Sequence, residues 1–478
     1  MEILRQLTDW LAANESVLSA VAALTVIVGL VYGGIRFVLS KSVNTLKKDG
    51  DADSGKPALT NFTGTDAVGE RRYSLSVLLF QALSKNDEDE FLASGITSEV
   101  IAHVTMVPNI RVSSRLTSYG FKSGEANLED VARQFNSRYI LSGSLARAGN
   151  KIRVIAQLTD IENDNEIWAT TYDRELEDLF DVQQDIARCI VGAVLGEVRL
   201  AETLFAGATP EPQLDAWGLA QKAYHFWLTK FTPEAILQAC DYLRQALALE
   251  PEYASARAAL AMLLAQQMTV RICPDYEACA TEARDQIEKA LEQAPNDIDV
   301  LENAGVVFQN LGEKERAMQA LKRVVERAPL NLTARGYLAL LLALTGDDDD
   351  AREAIQILED NISTAPNHPS MPYWQNFMGF AHERLGEHEL AIELAEKSLI
   401  GQPGWVHNHF LIANARCELG DVDGARKAVE LATAINPFLT PALFVDNVLR
   451  IARDDTLAAP LVGGIRKHLL EEEHAQSA

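Results

Sequence analysis

The longest uncharged apolar run lies near the amino terminus. Residues 16–35 contain no charged side chain over 20 positions. A helix rises about 1.5 Å per residue, so this run would extend roughly 30 Å, the thickness of the hydrocarbon core of a bilayer. No small-residue cleavage site follows it, which favours a retained anchor over a signal peptide. We predict a transmembrane helix over 16–39, in which Gly29 and Gly33 would let two copies pack as a homodimer.

The flanks of this helix differ in charge. Arg5 is the one basic side chain in the amino-terminal flank, 1–15, whereas four basic side chains follow the uncharged run 16–35: Arg36, Lys41, Lys47 and Lys48. Basic residues mark the cytoplasmic side of a membrane protein. We therefore expect a single-pass protein of the bacterial inner membrane with a cytoplasmic soluble part, with a periplasmic one as the alternative. Residues 40–70 are rich in Gly, Asp, Ser and Thr and are predicted to form a flexible linker.

From residue 71 the pattern changes to short apolar runs that alternate with helical stretches. The runs predict strands over 74–80, 110–114, 138–145, 151–161 and 166–176. The helical stretches cover about 90–106, 127–136 and 178–201. One buried face on the fourth strand is indicated by the alternation of Ile152, Val154, Ala156 and Leu158. The pattern predicts an α/β domain over 71–203 with a mixed sheet and the element order βαβαβββα.

This region resembles the TolB-like amino-terminal domain family. The resemblance is carried by SVLLF (76–80), DEFLASGITSEVI (89–101), NIRVSSRLTSYGFKSG (109–124), RYILSGSLARAGNKIRVIAQLTD (138–160) and EIWATTYDRELEDLFDVQQDIA (166–187). In many bacterial proteins this domain follows an adenylate cyclase or winged-helix domain and precedes tetratricopeptide repeats. Here a predicted transmembrane helix stands in the place of the upstream domain. The resemblance therefore implies a role in assembly or ligand binding.

After a linker over 204–215 the sequence becomes wholly helical and repetitive. Intervals of 44, 34, 37, 37 and 34 residues separate Pro251, Pro295, Pro329, Pro366, Pro403 and Pro437. Twelve positions before each proline stands an alanine: Ala239, Ala283, Ala317, Ala354, Ala391 and Ala425. Turns between paired helices are assigned to Gly312, Gly346, Gly386 and Gly420. This pattern resembles the tetratricopeptide repeat, and it predicts an all-α solenoid of about six repeats over 216–440 with capping helices and a tail over 441–478.

Such arrays bind partners in a concave groove formed by the first helix of each repeat. The helix faces directed away from the packing stripe carry Glu302, Gln309, Tyr373, Asn376, Phe380, Glu383, Phe410 and Asn414. This mixture of aromatic, amide and acidic groups would suit an extended peptide. The alternative is that some of the rings pack against the next repeat.

Charge and motif content restrict the chemistry. The formal net charge of −25 argues against a nucleic-acid partner, because phosphates would be repelled. No phosphate-binding loop, nucleophile motif or metal-ligand motif occurs, so we expect neither an enzyme nor a cofactor or metal site. The richest polar cluster of the α/β domain follows a predicted strand and comprises Ser113, Ser114, Arg115, Thr117 and Ser118. It is either a small-ligand site or a loop that satisfies its own backbone.

Two functions are compatible with these features. The first is a membrane-anchored scaffold that binds proteins through the repeat groove. The second is a signalling component whose α/β domain senses a small molecule or nucleotide and is related to adenylate cyclase-associated proteins, but without a cyclase domain.

Overall fold

The structure is a computed structural model that describes residues 74–84, 86–106, 110–113, 121, 123, 127–175, 179–230, 232–273 and 275–471. The predicted anchor over 16–39, with Gly29 and Gly33, lies outside the described residues, as does the linker over 40–70. Within the described ranges, no helix combines the length and apolar character needed to cross a bilayer.

The amino-terminal part of the described chain is a small mixed sheet with three helices. The strands are β1 (Ser74–Val77), β2 (Gln81–Ala82), β3 (Arg111–Val112), β4 (Tyr139–Ala148), β5 (Lys151–Asp160) and β6 (Asn165–Glu175). The helices are α1 (Asp87–Thr105), α2 (Leu128–Phe135) and α3 (Leu179–Ala208). This order agrees with the predicted one, except that the first predicted strand is split into β1 and β2 and the last helix continues to Ala208.

The sheet has the order β3-β1-β4-β5-β6, with β2 pairing beside β4. Strand β1 runs parallel to β3 and β4, whereas β4, β5 and β6 form antiparallel hairpins. Helices α1 and α3 share one core with the sheet, and α2 packs on the opposite face against Leu78 and Ile140. The predicted alternation on β5 is confirmed, because Ile152, Val154, Ala156 and Leu158 are all buried.

A buried ionic network joins α3 to the sheet. The guanidinium of Arg138 lies 2.9 Å from carboxylate oxygens of both Asp160 and Glu202, and the hydroxyl of Tyr139 donates to Glu202 at 2.9 Å. Glu202, on α3, is fully buried. Removing one member would leave an uncompensated charge inside the protein, so this network fixes α3 in position.

The remaining described chain is helical. Six helix pairs are formed by α4 (Ala216–Lys230), α5 (Pro233–Leu249), α6 (Ala254–Thr269), α7 (Tyr276–Gln293), α8 (Ile298–Asn310), α9 (Lys314–Arg327), α10 (Leu332–Thr345), α11 (Asp348–Thr364), α12 (Met371–Arg384), α13 (His388–Gly401), α14 (Val406–Glu418) and α15 (Val422–Ile435). Helices α16 (Pro441–Ala452) and α17 (Asp455–Ile465) follow them. The fold is thus a mostly helical, tetratricopeptide-like solenoid with a small mixed sheet on its amino-terminal side.

In each pair, one alanine of the second helix is buried where the two helices meet. We call the set of these residues the alanine seam. It consists of the six alanines of the second helices, all fully buried: Ala239, Ala283, Ala317, Ala354, Ala391 and Ala425. The facing first helix is close: a Cβ on Gly379 would lie 3.4 Å from the carbonyl oxygen of Ala391. Larger side chains in this seam would separate the helices.

The predicted turn glycines divide into two groups. Gly312, Gly386 and Gly420 have positive φ angles of 71°, 74° and 82°, a conformation that glycine adopts without strain. Gly346 differs, because it is extended with φ −98°. There the side chain of Asp347 accepts bonds from the amides of Asp349 and Asp350, so an acidic capping box begins the second helix without a left-handed turn.

Candidate functional site

The first helices of the pairs direct aromatic and polar side chains toward a common interior, which we call the inner channel. Positions three, four or seven residues apart share one face of a helix, as Tyr373, Phe377 and Phe380 do on α12. The channel is lined by Tyr224, Trp227, Glu302, Val306, Gln309, Tyr337, Tyr373, Asn376, Phe377, Phe380 and Trp405.

The channel is closed because the first pair touches the fifth. The rings of Trp227 and Tyr373 stack with centroids 5.9 Å apart. The side-chain amide of Gln402, after α13, donates to the carbonyl oxygen of Leu228 at 2.9 Å and to the hydroxyl of Tyr373 at 3.0 Å. The solenoid therefore encloses its concave face instead of presenting an open groove.

Helix α3 covers one end of the channel, where the first helices begin. Arg199 pairs with Asp299 on α8 at 3.1 Å, and Arg188 pairs with Asp360 on α11 at 2.8 Å. Gly192 and Gly196 permit this close approach. A Cβ on Gly192 would lie 2.9 Å from the Thr364 side chain, and one on Gly196 would lie 2.6 Å from the His368 ring.

Helix α16 covers the other end, where the first helices finish. The side-chain amide of Asn447 donates to the carbonyl oxygen of Thr269 at 2.6 Å. The guanidinium of Arg450 donates to the carbonyl oxygen of Asn310. Helix ends leave carbonyl groups without partners, and amide or cationic side chains satisfy them. Helix α16 thus caps α6 and α8 and closes the channel.

Two cavities remain inside the channel. The one beside α3 has a volume of about 170 Å³, and the one toward α16 has a volume of about 100 Å³. An enclosed cavity of about 150 Å³ in another protein is large enough for benzene. The free space therefore suits a small molecule and not an extended peptide.

The predicted groove residues fall into two groups. Glu302, Gln309, Tyr373, Asn376 and Phe380 line the channel, but none is more than 8 % exposed. This enclosure corrects the expectation of an open groove, and whether these five side chains bind a partner stays a prediction.

The other three residues lie in the carboxyl-terminal core. Phe410 is fully buried and stacks on Phe444 of α16 with centroids 4.8 Å apart. Glu383 accepts a bond from Asn414 at 2.6 Å and lies 3.0 Å from a ring nitrogen of His388. Because these side chains have internal partners, we no longer assign them to a binding surface.

Burial controls the electrostatics of the larger cavity. Glu302 accepts a bond from Asn331 at 2.7 Å, and burial raises its pKa. Burial, with a smaller effect from the Arg199 charge, lowers the pKa of His368 to about 3, so the ring is neutral at pH 7. Burial also raises the pKa of Tyr224 to about 12. The cavity is thus lined by a neutral imidazole, an un-ionised phenol and a buried carboxyl group.

The predicted ligand loop of the α/β unit is described only at its start. The amide of Ser113 donates to the carbonyl oxygen of Leu75 at 3.0 Å, which continues the pairing of β3 with β1. Its hydroxyl oxygen is buried and makes no hydrogen bond among the described residues. The other members lie outside the described residues: Ser114, Arg115, Thr117 and Ser118.

A known family matches the sequence at the centre of the array. A family model described as Tetratricopeptide repeat matches residues 302–366. This segment carries a tetratricopeptide repeat. It extends from within α8 to just beyond α11, in the middle of the six helix pairs.

A curated relative is similar to part of the chain. A protein of Rhizobium meliloti (strain 1021) named "Putative adenylate cyclase 3" is 31% identical over 190 residues, which are 40% of this chain and 32% of that protein. The chain therefore spans about a third of the length of this curated relative.

Solved tetratricopeptide proteins are also similar. A thermophilic one from Thermus thermophilus is 20% identical with a TM-score of 0.31, covering 36% of this chain and 91% of that one. One from Parabacteroides merdae ATCC 43184 is 16% identical with a TM-score of 0.31, covering 55% and 96%.

Sequence reasoning missed several side chains of the larger cavity, among them Arg199, Tyr224, Trp227 and Tyr337. The run of four aromatic residues from Tyr224 to Trp227 on the first helix of the first pair was an available signal. No comparable signal marked Arg199, because its pairing with Asp299 joins elements 100 residues apart.

Proposed function

We propose that this chain is a membrane-anchored scaffold that binds a protein partner through the outer surface of its tetratricopeptide array. Residues 16–39 would hold it in the bacterial inner membrane, with the soluble part in the cytoplasm. The TolB-like α/β unit would position the array, since α3 is shared by both. Catalysis is not part of the proposal, because cyclase activity enters only through the name of a relative of which this chain spans about a third.

The observation that carries the proposal is the distribution of exposed apolar side chains. The first helices bury most of their large apolar residues, in the channel or in the core between helices. The second helices expose several of theirs to solvent, namely Leu237, Leu249, Leu390, Ile400 and Leu431. Ile400 is 83% exposed. Burying such side chains against a partner would gain about 25 cal/mol for each Å² removed from water.

The charge of the chain restricts the partner. A net charge of −25 repels acidic proteins and nucleic acids and attracts a basic protein surface. We therefore expect a basic or neutral protein whose docking surface combines apolar groups with lysine or arginine.

Position-resolved photocrosslinking of the full-length chain in bacterial cells tests this assignment. A photoreactive phenylalanine replaces Ile400 or Leu431 in separate variants, and the control variant carries it at Asn163, in the exposed β5–β6 turn. We expect both array positions to give the same protein adduct in the membrane fraction and Asn163 to give none.

A paired variant tests whether the contact is specific. The changes Ile400→Ser and Leu431→Ser should abolish the adduct formed from a probe at Phe438, another exposed apolar residue of the array. An adduct formed equally well from Asn163, or one unaffected by the serine changes, would contradict binding through the second helices.

A further inference from the structure

We propose that the cavity beside α3 binds a small organic cation, that is, an ammonium ion carrying an apolar group. The cavity is the space of about 170 Å³ between α3 and the first helices of the array. This inference concerns the interior of the channel and does not depend on the proposed partner on the outer surface.

The walls of this cavity are aromatic. Its lining includes the rings of Tyr224, Trp227, Tyr337, Tyr373, Trp374 and Phe377. They are held rigidly: Tyr337 packs on Phe377 with centroids 5.8 Å apart, and Trp374 stacks on His368 at 4.7 Å. The face of an aromatic ring is negative, so rings that surround a small space attract a cation and cover its apolar substituents.

The charged side chains of the lining also favour a positively charged ligand. Among the described residues that line the cavity, Asp299 and Glu302 carry carboxylates and Arg199 carries a guanidinium. Arg199 approaches Asp299 to 3.1 Å but Glu302 only to 3.7 Å. With both carboxylates ionised the lining has a net negative charge, and Glu302 is the carboxylate with the weaker ion pair. Burial raises the pKa of Glu302, and a bound cation would favour its ionised form. An anionic ligand would meet two carboxylates and one guanidinium.

Burial makes Glu302 a strong attractor for a cation. The residue is 8% exposed and has Asn331 as its hydrogen-bond donor. A carboxylate with so little water around it is stabilised strongly by a positive charge, because the surrounding dielectric screens the attraction weakly. Tyr337 lines the same cavity as Glu302, and burial raises the pKa of its phenol. Its phenol is therefore un-ionised and can orient a ligand by hydrogen bonding.

A ligand here would contact both parts of the described chain. Gly192, Leu195, Gly196 and Arg199 of α3 form one wall, and the array forms the others. Binding would therefore stabilise the position of α3 against the array.

Matched pairs of charged and neutral probes test the proposal on the full-length protein in lipid nanodiscs. The cations are choline and 2-phenylethylammonium, and their uncharged counterparts of similar shape are 3,3-dimethyl-1-butanol and 2-phenylethanol. Calorimetric titration and tryptophan fluorescence report binding, because Trp227 and Trp374 line the cavity. We expect at least one cation to bind once per chain, at least about tenfold more tightly than its neutral counterpart.

Two variants locate the interaction. Glu302→Gln keeps an oxygen that can accept from Asn331 but removes the charge, and it should abolish the preference for the cation. Asp299→Asn removes an equal charge that Arg199 already compensates, and it should keep most of the preference. Thermal unfolding of each variant without ligand checks that the fold is retained.

The wild-type comparison decides the proposal even if a variant fails to fold. Absence of saturable binding by both cations would overturn it, as would equal affinity for the neutral probes. Equal loss of the preference in both variants would overturn the assignment to Glu302.

Discussion

The alanine seam and the inner channel are both buried surfaces of the same array, but they are built in opposite ways. The seam repeats one small residue at one position in six second helices, and all six copies are fully buried. The channel uses large and different side chains, such as Trp227, Glu302 and Phe380, and leaves space between them. A repeated contact requires the same shape each time, whereas the channel accommodates side chains of different sizes.

The difference also separates local from distant structure. The seam joins two helices that follow each other in the chain, so the repeat period alone determines it. The channel depends on contacts such as that of Trp227 with Tyr373, which are 146 positions apart in the printed sequence. It depends as well on two helices outside the six pairs, α3 and α16. The space inside the channel therefore arises from the least repetitive contacts of the array.

The largest loss of stability should come from removing a large side chain from the core next to the channel. Phe410→Ala removes a fully buried ring from its stack on Phe444 and should cost about 3–5 kcal/mol of the free energy of unfolding. The matched change Phe380→Ala should cost less, because this ring already borders the smaller cavity. Denaturant unfolding of the full-length chain measures both. Equal losses would mean that the channel is packed as densely as the core.

Overfilling the seam should have the next largest effect. Ala425→Leu inserts a large side chain between α14 and α15 and should destabilise the array by about 1–3 kcal/mol. Ala434→Leu adds the same atoms to an exposed position of the same helix and should change stability by less than about 0.5 kcal/mol. The difference in melting temperature between the two variants isolates the seam. Tolerance of leucine at Ala425 would show that the helices can separate without cost.

A smaller effect should follow from acidification of the channel. His368 has a pKa of about 3 in the folded protein and a reference value of 6.5, so between these values the unfolded chain binds more protons. Stability contributed by neutral His368 is therefore lost as the pH falls below 6.5. From pH 7 to 5.5 the loss should be about 1.3 kcal/mol.

The variant His368→Asn isolates this contribution, because the other buried histidines stay unchanged. Unfolding free energies at the two pH values give the pH dependence of each protein. If the dependence is the same in the variant and the wild type, water reaches the ring and the channel is open at this end.

The sequence was most informative where structure is local. Alternation on β5, the order of strands and helices, and the alanines of the seam all follow from periodicity, and the structure confirms them. The residues Glu302, Gln309, Tyr373, Asn376 and Phe380 line the inner channel, and their role in binding a partner stays a prediction.

The enclosure of this channel could not be predicted, because no local rule sets how tightly a solenoid winds. Closure rests on Gln402 reaching the backbone of Leu228 and on Arg199 reaching Asp299. Phe410 was misassigned to the groove for a related reason. Its partner Phe444 belongs to a helix beyond the last repeat, where the repeat pattern no longer applies. The turn at Gly346 differs from the other three because acidic capping replaces the left-handed glycine.

Helix α3 packs against both the sheet and the array. Its 30 residues form a rod of about 45 Å. Val182, Ile186 and Ile190 belong to the core of the sheet, and Leu330 of the array belongs to the same core. Further along, Arg199 holds the channel. The sheet cannot come apart without releasing this rod, and release of the rod exposes the beginnings of the array's first helices. The two parts are thus joined through one helix, and a fragment limited to the six helix pairs would lack both covers of its own interior.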